Sequence, residues 1–383
     1  MTTDRTAIRR RLAIRSWSHR PPWGARKAGH DSIVAPLSAT VAATLAVGVG
    51  LMLARSERRR RRALENRRKR RLGRKRGEPL AAGLRRMALS QADLAIEQLA
   101  PGPPDEKAVH ETRKALKRLR ALLRLLEHEL GAETYARESA MLRDVASHLS
   151  GARDAAVMLS TLDALIERHP RKLAKSASVR KLRRRLQAER ARLQQHTLAE
   201  PAGRAYVLGE LHAFRWRVTG WQLSDKPGIE LVDSDLSRLY RQGRRRYRRA
   251  ALDRGKRITT MHEWRKRVKD LRYAAEMLDR RGSSESAPQL RKVAGRADDL
   301  SELLGEDHDL AIFAQHMREA GRRSGSAHID GHETWRTGAG TRRTLLKLIA
   351  KRRRKLRVRA LRQGARLYSV KPKRFTRRIR RLS

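Results

Sequence analysis

The chain has no cysteine, and only three of its 383 residues are phenylalanine. The first absence excludes disulfides, thiolate metal sites and cysteine nucleophiles. Aromatic residues make up 4% in all, which weighs against a surface that stacks unpaired bases. Acidic residues are also scarce: 40 Asp and Glu stand against 92 Lys and Arg, a formal net charge of +52. Self-repulsion on that scale calls for a polyanionic partner, and DNA, RNA, anionic lipid headgroups and inorganic polyphosphate are the candidates. Runs of alternating apolar and polar residues are missing, which argues against strands. There is no phosphate-binding G-x-x-x-x-G-K-[ST] loop and no G-x-G-x-x-G after a strand. "HETRK" at 110–114 and "HEWRK" at 262–266 lack the second His of a zinc-binding H-E-x-x-H. Nothing in the sequence calls for a cofactor.

Long apolar runs are nearly absent. The exception is Ile33 to Ala54, which carries no charge and is long enough to cross a bilayer. Pro36, Thr40, Thr44, Gly48 and Gly50 lower its hydropathy, so a transmembrane helix and an Ala/Gly/Thr-rich soluble segment both remain open. Basic residues are denser after it, with Arg55, Arg58 to Arg62 and Arg67 to Arg71. If it spans, the positive-inside bias leaves the remainder in the cytoplasm. A cleaved signal peptide fits less well, because the run begins too far in and lacks a small-x-small exit site.

These features divide the chain into a basic segment 1–32, the apolar segment 33–54, a basic linker 55–79, two helical halves at 80–225 and 226–370, and a basic tail 371–383. The linker reads as a non-specific adjunct for polyanions or an anionic membrane surface. Within the halves, apolar residues recur at three and four. That period predicts helices over about 80–100, 108–129, 133–149, 152–168, 175–199, 203–218, 235–253, 260–281, 288–304, 306–321 and 340–366. Breakers separate many of them, including "PGPP" at 101–104 and "GSSESAP" at 282–288.

Two of the predicted helices carry the same pattern. Residues 110–126 read "HETRKALKRLRALLRLL" and residues 262–278 read "HEWRKRVKDLRYAAEML". At 100° per residue, His110, Arg113, Lys114, Lys117, Ala121 and Arg124 share one face, and Leu116, Leu119, Leu122, Leu123 and Leu126 the opposite one. In the second copy His262, Arg265, Lys266 and Lys269 form the stripe with Arg272 at its edge, over an apolar back of Val268, Leu271, Ala274, Ala275 and Leu278. Any surface helix can carry cations opposite its leucines. Duplication of a fold repeats its core, however, and here the polar positions repeat as well. Neighbouring cations lie about 5–6 Å apart and repel, a cost that an extended polyanion would remove along its length and a single phosphate only in part.

A second element follows each stripe. "LRDVASHLSGARDAAV" at 142–157 aligns with "ADDLSELLGEDHDLAI" at 297–312, placing Leu149 on Leu304, Ser150 on Gly305 and Asp154 on Asp309. The predicted form is a helix ending at Leu-Gly/Ser and a new helix starting near the Asp, whose carboxylate suits free N–H groups and the helix dipole. "HELGAE" at 128–133 and "EDHDL" at 306–310 read as ordinary solvated helix ends rather than metal sites.

The doubled H-E-x-R-K-x-x-K-x-L-R, each copy followed by L-(G/S)-x-x-x-D, resembles the CHAD family, the conserved-histidine α-helical domain, over about 80–370. The resemblance implies an all-α fold of two helical bundles related by a pseudo-twofold, with the basic helices lining a central groove or pore. It also implies binding of inorganic polyphosphate, often at polyphosphate granules; with no catalytic motif in the sequence, the expected binding is non-enzymatic. Carried over by motif, His110, Arg113, Lys114, Lys117 and Arg120 meet phosphates in the first half, and His262, Arg265, Lys266, Lys269 and Arg272 in the second; Arg124 extends the first stripe. Asp270, opposite Arg118, departs from the pattern and makes the second stripe less basic. On charge alone, nucleic acid stands as the alternative ligand. The Glu-x-Glu-x-Lys strand of the CYTH barrel that often precedes this domain is not found.

Overall fold

The structure is a computed structural model. It describes residues 75, 77–100, 102–149, 151–196, 199–255, 257–279, 288–322 and 337–380. The candidate membrane segment 33–54, the basic segment before it and most of the basic linker lie outside these residues. Among the described residues there is no strand, and no helix is long and apolar enough to cross a membrane.

The chain is all-α. Its helices are α1 (Leu80–Leu99), α2 (Glu106–Leu125), α3 (Glu127–Ser147), α4 (Gly151–Arg168), the short α5 (Pro170–Leu173), α6 (Ala177–His196) and α7 (Pro201–Thr219). A 3-10 turn (Gly228–Val232) leads into α8 (Asp233–Leu252), α9 (Ile258–Leu278), α10 (Pro288–Arg322), α11 (Ala339–Leu367) and α12 (Pro372–Arg380). The stripe helices are α2 and α9. The Asp105 carboxylate accepts from the Ala108 N–H at 2.7 Å and caps the start of α2 after the Pro-rich breaker. Inside α3, Gly131 adopts φ 76°, a left-handed conformation that favours glycine, and the helix kinks there.

Buried apolar side chains form two clusters. The larger takes in Leu84, Leu119, Phe214, Leu236, Trp264 and Leu271. The smaller takes in Leu162, Leu182, Phe313, Met317, Leu345 and Ile349. Neither is confined to one of the halves 80–225 and 226–370. The larger draws on α1–α3 and α7 together with α8, α9 and the start of α10, and the smaller draws on α4–α6 together with the rest of α10 and the first part of α11.

α10 is where the structure departs most from the predicted helices. Residues 288–304 and 306–321, expected as two helices, are one helix of 35 residues. Gly305 does not break it. A glycine inside a helix costs about 1 kcal/mol relative to alanine, and burial of Leu300, Leu304, Leu310 and Phe313 on either side outweighs that. Asp309 therefore lies mid-helix and is not a first-turn residue, unlike Asp154, which sits in the first turn of α4. "EDHDL" is likewise no solvated helix end. Glu306 accepts from Arg352 twice at 2.7 Å and from Arg168 at 2.5 Å. Asp307, 2% exposed, accepts from Arg353 at 2.9 Å and Arg357 at 3.2 Å. These two carboxylates tie α11 to α10. Glu129 of "HELGAE" has a similar structural duty, holding Ser224 and Lys226. The stretch 371–383, expected as a basic tail, contains α12: Phe375 stacks on Tyr240 at 3.9 Å, and Ile379 is buried.

Candidate polyanion-binding cleft

α2 and α9 pack directly on each other. Their cationic sides open onto one cleft of about 450 Å³, whose other wall comes from α4 and α10. Arg113, Lys117, Arg120 and Arg124 enter it from α2, and Arg265, Lys266, Arg267 and Lys269 from α9. Facing them are Asp154, Val157 and Met158 of α4 and His308, Asp309, Ile312 and His316 of α10. Among the described residues, Asp154, Asp270 and Asp309 are the only carboxylates lining the cleft, against eight cations. A recess of about 400 Å³ adjoins it and shares Arg265, Lys269 and Asp309.

The cations are not equivalent. Arg113 donates to the Leu149 carbonyl at 2.6 Å and the Ala146 carbonyl at 3.3 Å, so it closes the C-terminal end of α3 as well as lining the cleft. Arg265 lies against the matching joint, within 3.6 Å of where a side chain at Gly305 would begin. The leading arginine of each motif thus meets the Leu-Gly/Ser joint of the element that follows it. Lys266 pairs with Glu263 at 2.8 Å on the exposed rim.

Asp270 is 6% exposed and sits between the two stripes. It pairs with Arg124 of α2 at 2.7 Å and with Arg267 at 3.2 Å. Burial pushes its carboxyl up, and Arg124, Arg267 and Arg120 pull it back. Its effect is more than the dilution of charge expected from the alignment, because it joins the two motif helices through an ion pair.

Four predicted site residues do not line the cleft. His110 is exposed, Lys114 is half-buried, and neither is among the lining residues. Arg272 meets Glu276, one turn along α9, at 2.9 Å and also pairs with Asp298 of α10. His262 stacks on His308, with ring centroids 4.4 Å apart at 31°. Ala121, placed on the polar face by the helical period, is fully buried because α2 is covered on most sides. Arg118 is buried as well and donates to Gln91 at 3.3 Å. Arg267, Asp270, His308 and His316 are lining residues that the motif reading does not assign. His308 lies within the second repeated element, but nothing in its spacing says that α10 runs past the joint and turns it toward α9.

The surroundings of the two facing imidazoles disfavour their charged forms. Burial, then Arg265, His262, Lys269 and Arg353, push His308 down to about 3. Burial and the cations Lys266 and Arg265 lower His262 as well, opposed by Glu263. The free imidazole titrates near 6.5 in an unfolded chain. Between about pH 6.5 and pH 3 the unfolded chain therefore binds a proton at residue 308 that the folded chain does not. Stability should fall as the pH drops through that window, by at most about 1.4 kcal/mol per pH unit from this one group. His308→Gln should flatten the dependence of melting temperature on pH between 7 and 4.5. An unchanged slope would remove His308 as the cause.

The fold and cleft define a class: an all-α protein with a strongly cationic cleft between two motif-bearing helices. The chain belongs to the CHAD family, whose domain profile matches residues 88–318. It is also similar to the crystal structure of the CHAD domain from the plant Ricinus communis, with a TM-score of 0.55, 20% identity, and coverage of 78% of this chain and 95% of that one. No functionally characterised protein matches the sequence significantly.

Proposed function

We propose that this chain binds inorganic polyphosphate, without turning it over, in the cleft between α2 and α9. The observation that carries the reading is the convergence of eight cations from the two motif helices on one cleft with three aspartates. A single phosphate could engage only a few of those charges. The adjoining recess shares Arg265 and Lys269 but adds Glu302 and Glu306 against Arg168 alone, so the phosphate chain is assigned to the cleft itself. Arg113, Lys117, Arg120, Arg124, Arg265, Lys266 and Lys269 are the direct contacts in this reading. His262 acts through His308, and His110, Lys114 and Arg272 fall outside the contact set. The family's association with polyphosphate granules supports the same ligand. A nucleic-acid ligand gains little from the cleft: its lining aromatic, Tyr273, is 8% exposed and offers no open face for a base.

The test is a competition on the full-length chain. Labelled polyphosphate is challenged with duplex DNA, RNA and nucleoside triphosphates at equal charge concentration. Polyphosphate should resist displacement by all three, and its affinity should fall log-linearly with salt as counterions are released. Equal or tighter binding of DNA would sink the reading. Polyphosphate recovered after long incubation should keep its chain length; shortening would replace binding with turnover.

A further inference from the structure

α11 carries a second array of cations, and none of its residues lines the cleft. Its 29 residues contain no Asp or Glu. Arg343, Lys347, Lys351, Lys355 and Arg359 follow one another at four-residue spacing, and all five are exposed. Arg354, Arg362 and Arg366 flank them and are exposed too. At 100° per residue these eight fall on one side of the helix, opposite the buried Leu345, Ile349, Leu356 and Leu367. From Arg343 to Arg366 the ridge runs about 35 Å at 1.5 Å per residue.

What sets the ridge apart is how its charges are compensated. The cations of α11 that turn toward α10 are paired: Arg352 with Glu306, and Arg353 and Arg357 with Asp307. Some cations elsewhere find carboxylates as well, as in Arg183 with Asp163, Arg215 with Asp93 and Lys226 with Glu129, and scattered ones such as Lys172 do not among the described residues; the ridge differs in gathering eight such charges on one helix face. Along the ridge, no cation has a carboxylate partner among the described residues. Like charges at i,i+4 each cost roughly 0.2–0.5 kcal/mol. The helix bears that cost four times over in the series from Arg343 to Arg359, and a polyanion laid along it would remove it.

We propose that the outward face of α11 is a second, independent polyphosphate-binding surface, and that together with the cleft it lets one protein molecule bridge two polyphosphate strands. The inference rests on the reading of the cleft for the identity of the ligand. The two surfaces differ in kind. The cleft is recessed and its cations are held by neighbours. The ridge is convex and open, so its attraction is almost wholly electrostatic and screened by salt. Five contacts on a single-stranded polyanion would give a salt slope of roughly −3.5. Bridging needs both surfaces occupied at once, so it should vanish at lower salt than binding itself does.

The experiment uses the full chain in four forms: wild type, a ridge variant (Lys347→Glu, Lys351→Glu, Lys355→Glu), a cleft variant (Lys117→Glu, Lys269→Glu) and a charge control. The control, Arg171→Glu, Lys172→Glu and Lys175→Glu, makes the same change in net charge as the ridge variant at exposed positions that belong to neither surface. Titration with a short oligophosphate at low salt should show two classes of site in wild type and one in each surface variant. Light scattering with long polyphosphate should rise at balanced ratios of protein to chain and fall again in excess chain, as bridging requires. The ridge variant should lose at least about tenfold of that scattering, still bind long chains one to one, and melt no lower than wild type. Bridging unchanged in the ridge variant, or reduced equally in the control, would overturn the proposal. So would a single class of oligophosphate site in wild type, or tighter binding of duplex DNA than of polyphosphate to the cleft variant. Loss of no oligophosphate site in the cleft variant counts against the cleft reading alone.

Discussion

Reversing the charge of Lys117 and Lys269 together should lower the affinity of the cleft for polyphosphate by about two to four orders of magnitude. The two side chains approach the cleft from α2 and α9 respectively. A charge-assisted hydrogen bond is worth about 1.5–3 kcal/mol, so losing two costs about 3–6 kcal/mol before the repulsion of the new carboxylates is counted. The salt slope should also shrink by about 1.4, or 0.7 for each lost phosphate contact. Lysines make the cleaner test. Arg113 also holds the end of α3 through the Leu149 carbonyl, so its removal would mix folding with binding. Both lysines are half-exposed, and the melting temperature should change little. An affinity within threefold of wild type, with an unchanged slope, would mean that polyphosphate does not lie in this cleft.

These residues are legible in the sequence because a helix repeats every 3.6 residues. The leucines and the cations of 110–126 and 262–278 separate cleanly at that period, and both stretches fold as helices that pack together. The period says which side of a helix a residue is on. It does not say what lies opposite. Ala121 and Thr112 are buried because α1, α3 and α9 cover α2 on most sides. Arg272 has the same place in its motif as Arg120, yet it is claimed by Glu276 on its own helix and by Asp298 on the next one. Arg120 remains in the cleft. Gly305 reads as a break because glycine is a weak helix former. The tertiary burial of Leu304 and Leu310 overrides that preference, and the uninterrupted α10 is what presents His308 to His262. These misses turn on how helices pack against one another, which local periodicity cannot supply.

Asp270 should show opposite effects on folding and on binding when it is replaced by asparagine. The substitution keeps the shape and removes the only negative charge shared by Arg124 and Arg267. Breaking a buried ion pair by neutralising one partner costs about 3–5 kcal/mol. The cost here should be smaller, about 2–3 kcal/mol, because the side chains of Arg124 and Arg267 are each 19% exposed and can gain water from the cleft. That is still a large part of the 5–15 kcal/mol that holds a typical domain folded, so the ligand-free melting temperature should drop by several degrees. With polyphosphate present the sign changes. A chain of phosphates in the cleft should supply the missing counter-charge to Arg120 and Arg124, and to Arg267 once Asp270 no longer claims it, because the cleft has gained one unit of positive charge. Affinity should rise, the salt slope should steepen by up to about 0.7, and the ligand should raise the melting temperature of Asp270→Asn by more than it raises that of wild type. If polyphosphate bound elsewhere, the variant would lose stability with and without ligand by the same amount. Calorimetric melts of both proteins, each with and without polyphosphate, separate these outcomes: a carboxylate that competes with the ligand for three arginines must weaken binding in proportion to how well it stabilises the empty protein.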